Sequence, residues 1–114
     1  MNLVIVIAND SIDRTLQHLE ENYPRKQKVF LHILEESDAV EAPNGEMGFG
    51  VFDTTHQSIY IAADIPEPEI NVPWIIAHEY KHYLQWCDGK PYDENEADLF
   101  ADMVMKELGI VVYN

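Results

Sequence analysis

One cysteine, Cys87, stands in 114 residues, so no internal disulfide can brace the fold. That fits a reducing compartment, and the chain is expected to work in the cytoplasm. Basic residues are scarce too: 7 Lys and Arg face 21 Asp and Glu, for a net charge of -14 with His neutral. Such an excess repels phosphate backbones, and the only basic cluster, Arg25, Lys26 and Lys28, is too small to offset it. No nucleic-acid partner is expected. Long hydrophobic runs are missing as well. The longest, Leu3–Ala8, has six residues, too few to span a membrane, and no basic segment before it marks a secretory signal. No membrane contact is expected. Internal repeats and low-complexity tracts are absent, which argues against a solenoid.

What is present is ordinary for a folded domain. Hydrophobic residues make up 46% and charged residues 25% of the chain, enough to fill a core without a structural metal. The length suits a single domain, residues 1–114. Leu3–Ala8 is short and rich in Val and Ile, which predicts a strand buried on both faces. Asn9, Asp10 and Ser11 supply N-cap chemistry for a helix whose apolar positions Ile12, Leu16, Leu19 and Tyr23 recur every three or four residues, up to Pro24. Lys28–Leu34 predicts a second strand.

The acidic stretch Glu35–Glu46 contains Pro43, Asn44 and Gly45 and reads as an exposed loop. Gly48–Asp53 and Ser58–Ala63 follow as two short strands joined in a hairpin through residues 54–57. Asn71 can cap a helix with Pro73 in its first turn, running to Trp86 before Asp88 and Gly89 end it. A last helix runs from Tyr92 to Leu108, with Gly109 as its stop. This order predicts an α+β domain: a small twisted sheet covered by an N-terminal helix, a central helix and a C-terminal helix. His18 and His56 read as surface groups and His32 as a structural strand histidine. Cys87 reads as a small hydrophobe on a helix.

Within the central helix stands His78-Glu79-Tyr80-Lys81-His82, an H-E-x-x-H motif. With 5 His and 12 Glu in the chain, its chance occurrence is roughly 2%. Residues four apart on a helix lie about 6 Å apart along the axis on one face, so both imidazoles can reach one ion. Two imidazoles and a carboxylate suit tetrahedral zinc with one position left for water. Glu79, beside His78, is placed to reach that water rather than the ion, as a general base must be. The flanking Trp74, Ile75, Ile76, Ala77, Tyr83, Leu84 and Trp86 predict a buried helix, where polar groups are costly without a purpose.

A third ligand must come from elsewhere, and the next helix offers Glu94, Asn95, Glu96, Ala97, Asp98, Leu99, Phe100 and Ala101. H-E-x-x-H followed by a helix with E-x-x-A-[DN]-x-F-A resembles the gluzincin metallopeptidases, especially the small ImmA/IrrE-type enzymes and the minigluzincins of about this length. The resemblance covers residues 78–101. It implies a zincin-like fold, His78, His82 and a helix-borne Glu as Zn2+ ligands, Glu79 as general base, and an acid or amide four residues after the ligand Glu supporting the site from behind. Minigluzincins are described as folding C-terminal segments over the cleft. By that likeness the apolar tail, residues 110–114, would cover the zinc; its alternative is an extra docked strand.

Glu94 and Glu96 compete for the ligand role. Glu94, Ala97, Asp98, Ala101, Val104 and Leu108 form one stripe whose alanines allow close approach to the motif helix, which favours Glu94. Asp98 would then hydrogen-bond a ligand imidazole. Eleven residues, Tyr83 to Asp93, separate His82 from Glu94, enough for a tight helical hairpin. The electrophile opposite the zinc that gluzincins often carry is open among Tyr60, Tyr92 and Tyr113. The expected function is a zinc-dependent endopeptidase acting on a peptide or protein substrate, bound along an edge strand taken as Ser58–Ala63, with a basic peptide favoured by the acidic surface. The alternative is a latent or degenerate zincin serving as a regulatory or binding module.

Overall fold

The computed structural model describes residues 2–4 and 10–110. In chain order these form β1 (Asn2–Val4), α1 (Asp10–Asn22), β2 (Phe30–Leu34), β3 (Val40–Glu41), β4 (Met47–Gly48), β5 (Gly50–Asp53), β6 (Ser58–Ala62), α2 (Pro68–Cys87) and α3 (Glu94–Leu108). The rest of the Leu3–Ala8 run, the Asn9 cap, the tail beyond Ile110 and Tyr113 lie outside the described residues.

A four-stranded sheet runs in the order β1-β2-β6-β5. β1, β2 and β6 are parallel, whereas β5 is antiparallel to β6. The β1-α1-β2 passage supplies the crossover that parallel pairing needs, while the short turn after Asp53 allows only the antiparallel return. Alternation then separates the sheet's two faces. Leu31 and Ile33 are buried and pair in register with the buried Ile59 and Ile61. These rows meet Ile12, Leu16 and Leu19 of α1 and Ile75, Ile76 and Leu84 of α2 in one core cluster. Fully burying such a side chain contributes about 1.5–3 kcal/mol. Phe30, His32 and Leu34 fall on the other face, where His32 stacks on Tyr60 at 4.7 Å. The chain is therefore an α+β domain with its helices on one side of the sheet.

α2 is tied to the exit of α1 by the Tyr80 hydroxyl, which donates to the Tyr23 carbonyl at 2.7 Å. Burial pushes that phenol up to about 12. α2 and α3 pack as a tight hairpin, because Ala97 and Ala101 are fully buried and hold no bulk between the helices. No helix among the described residues is long and apolar enough to cross a membrane.

Several elements differ from the sequence expectations. The stretch Glu35–Glu46 is not wholly a loop: β3 pairs with β4 as an antiparallel ribbon, Val40 opposite Gly48. The predicted strand Gly48–Asp53 is broken at Phe49, which lies between β4 and β5. Helix α2 begins a turn earlier than Asn71, with a proline in its opening position. The Asn71 side chain instead donates back to the Pro66 carbonyl. α3 begins at Glu94, since Asp93 is its cap and accepts from the Glu96 amide at 3.0 Å. Ser58–Ala63 is not an edge. β6 is paired on both sides, by β2 and β5, so its backbone groups are already used. The edge next to the helices is β5.

Candidate metal centre

The central turns of α2 are buried almost all round, and their polar members are buried too: His78, Glu79, His82 and Gln85 are each under 9% exposed. One helical turn separates the two histidines, so both rings leave the same face. Their Nε2 atoms lie 3.3 Å apart. Glu94, the first residue of α3, brings Oε1 to 2.7 Å from Nε2 of His82 and Oε2 to 3.3 Å from Nε2 of His78. Among the described residues, His78, His82 and Glu94 are a group whose ligand atoms could hold one metal ion. Glu96 points elsewhere. Its carboxylate meets Lys81 at 3.3 Å and accepts from Gln85 Nε2 at 3.4 Å.

This donor set fits zinc. Two imidazoles and a carboxylate are donors of the kind zinc takes, and one ligand atom from each of the three residues lies within 4.8 Å of the others. Ligation also requires neutral imidazoles. Burial holds the His82 pKa below its ordinary value, against the opposing pull of Gln85 and Glu94.

The far sides of both rings have partners. Asp98 Oδ1 stands 2.9 Å from Nδ1 of His78, a close contact short of an aligned hydrogen bond. Nδ1 of His82 is 2.9 Å from Oε1 of Gln85. Trp74 stacks on His78 at 5.3 Å, and its indole N–H donates to Asp102 at 2.8 Å, fixing the indole to α3. Tyr92 lies flat on the His82 ring, centroids 3.7 Å apart and planes 5° apart. Of the tyrosines open for an electrophilic role, Tyr92 lines the cleft beside Glu79 and Glu94, whereas Tyr60 lies outside it on β6. Burial and those two carboxylates raise the Tyr92 pKa, so its hydroxyl keeps its proton.

Glu79 sits 3.9 Å from the Nε2 of His78, and its Oε1 is buried with no hydrogen-bond partner among the described residues. Burial pushes this carboxyl up to about 8, the Glu94 charge adds to the rise, and a hydrogen bond from the Phe52 amide opposes it. A cleft of about 660 Å³ opens over the group, walled on one side by His78, Glu79, Tyr92 and Glu94 and on the other by the β3–β4 ribbon and β5.

His18 and His56 take no part: His18 pairs with Glu107 and His56 with Asp53. Cys87 is partly buried on α2, and burial raises its thiol. Sequence reasoning passed over Gln85, Gly50 and the ribbon. Gln85 carried a signal, a polar residue three after His82 inside an apolar helix, and Gly50 another, an isolated glycine in a strand. The ribbon, two residues per strand, carried none. No protein-family model, curated protein or solved structure matches the chain.

Proposed function

We propose that this chain is a zinc-dependent endopeptidase of the gluzincin type, with His78, His82 and Glu94 as ligands and Glu79 as general base. The observation that carries the reading is the meeting of two imidazole nitrogens and the two oxygens of one carboxylate at 2.7–3.3 Å, beside a buried carboxyl oxygen with no partner among the described residues. Zinc held there supplies the Lewis acidity that peptide hydrolysis draws on. Glu79 accepts a proton from the attacking water as its oxygen bonds the carbonyl carbon. It then delivers that proton to the amine nitrogen as the C–N bond breaks.

The substrate lies extended along β5, whose outer edge borders the cleft and pairs with no other strand among the described residues. Glu46, Glu79 and Glu94 line that cleft, and no Lys or Arg among the described residues does, which favours a basic peptide. A single free cysteine suits the cytoplasm as its place of work.

The test is metal analysis of protein prepared without a chelating tag, joined to a peptide-library assay. One zinc per chain is expected, with hydrolysis that Glu79→Gln abolishes while zinc is retained. Near-zero metal after reconstitution overturns the reading. Zinc without hydrolysis in the unmodified chain leaves the latent or degenerate module instead.

A further inference from the structure

The Gln85 side chain is 2% exposed, and each of its polar atoms has a partner. Three of those partners have only one hydrogen-bonding role. The Asp93 amide can only donate, and it lies 3.3 Å from Oε1. The Asp93 carbonyl and the Glu96 carboxylate accept, and they lie 3.1 and 3.4 Å from Nε2. These neighbours fix which end of the amide is oxygen. The oxygen therefore faces Nδ1 of His82, and that nitrogen must be the donor. With Nδ1 committed as a donor to Gln85, Nε2 is the nitrogen that faces Glu94, 2.7 Å from its Oε1, and the one left to bind an ion.

Asp93 is the residue before Glu94 and the cap of α3. One amide thus acts on both sides of the site: it selects the tautomer of a ring on α2, and it clamps the backbone from which Glu94 leaves on α3. We infer that Gln85 is a positioning residue that sets His82 for Nε2 ligation and holds the start of the Glu94 helix in register with it. Neither Glu nor Met does both. Glu keeps an acceptor toward His82 but offers no N–H to the Asp93 carbonyl, and Met offers neither. The inference rests on the zinc reading for its consequence, though not for the tautomer.

The experiment compares the unmodified chain with Gln85→Met and Gln85→Glu. Nitrogen chemical shifts of His82, read in metal-free protein, should show a proton on Nδ1 in the unmodified chain and a bare Nδ1 in a share of Gln85→Met, where only Glu94 still faces the ring as an acceptor. Zinc competition against a chelator should show affinity about 10–100-fold weaker in Gln85→Met, as for other outer partners of ligand histidines. The Asp93 amide should also exchange faster. Unchanged tautomer and affinity in Gln85→Met overturn the inference. Should that variant not fold, Gln85→Glu decides alone: a fully protonated Nδ1 supports the role, and a bare Nδ1 in a share of the molecules overturns it. If the unmodified chain takes up no zinc, the zinc reading falls, and the tautomer comparison still judges Gln85.

Discussion

Gly50 on β5 lies directly against Glu79 on α2. A β-carbon at Gly50 would stand 3.1 Å from Cγ of Glu79, 2.6 Å from Cγ2 of Ile75 and 3.2 Å from Cδ1 of Ile61. The absent side chain is what lets the edge strand approach the helix that carries Glu79 so closely. The strand that borders the cleft and the proposed base are thus positioned by the same contact.

Gly50→Ala should separate them. The obstructing methyl of Ile75 belongs to a stiff β-branched side chain that cannot swing aside freely. Overpacking of this kind costs about 1–3 kcal/mol. Denaturant unfolding should show that loss, and metal analysis should show zinc retained, since no ligand is touched. Hydrolysis should fall. Full activity with an unchanged unfolding midpoint would refute the account of the strand–helix contact.

The two acidic residues at the start of α3 should behave differently. Glu94→Ala removes an atom 2.7 Å from Nε2 of His82, so its zinc affinity should drop by more than the roughly 10–100-fold that loss of an outer partner brings. Glu96→Ala removes only contacts to Lys81 and Gln85, and its affinity should stay within about threefold of the unmodified chain, below the outer-partner range. Chelator competition on both variants measures this. A reversed order would mean that Glu96 is the ligand.

If the proposed site holds zinc, the metal should stabilise the fold, because the three ligands are brought together only in the folded chain. At free zinc about a thousandfold above the dissociation constant the gain is about 4 kcal/mol. Adding a strong chelator should therefore lower the melting temperature. In His82→Ala the same addition should leave it unmoved, and calorimetry of the two proteins with and without chelator reads the difference.

Away from the site, Arg25 grips Asp88 with two nitrogens at 2.9 and 2.8 Å, joining the segment after α1 to the end of α2. The hydrogen bond to Arg25 holds the Asp88 carboxyl below its ordinary range. A depressed folded pKa means the ionised form is favoured by folding. The contribution is therefore present above the unfolded value and fades as pH drops through the folded one. Asp88→Asn should melt lower than the unmodified chain at pH 7, and the gap should close in acid below about pH 4. Both residues are partly exposed, so the difference should be small and should shrink in high salt. A gap that persists in acid would mean that the packing of Asp88, rather than its charge, matters.

Local chemistry was legible in the sequence. The 3.6-residue period placed α1, and one helical turn put His78 and His82 on a common face. Ala97 and Ala101, in step with Glu94, marked the side of α3 that could come close to α2, and the structure brings Glu94 to the histidine pair. Gly109, at φ 73, ends α3 as its freedom allows, with the Ile110 amide closing on Met105 at 2.9 Å. Each of these depends on residues within a few positions of one another, where spacing alone fixes direction.

Only the tertiary structure decided which strand is the edge. Ser58–Ala62 and Gly50–Asp53 are both short and apolar, and nothing local says that β2 claims the free side of β6 and leaves β5 open. That outcome depends on the parallel pairing of β2, distant in sequence, through long-range hydrogen bonds that no periodicity encodes. The ribbon of β3 and β4 is too short for a pattern to show. Gln85 is a similar case: its amide gains its role only when the α2–α3 turn returns the Asp93 backbone to it. A helical period can place a polar side chain on a face, but what that side chain meets there is fixed by chain reversal and packing.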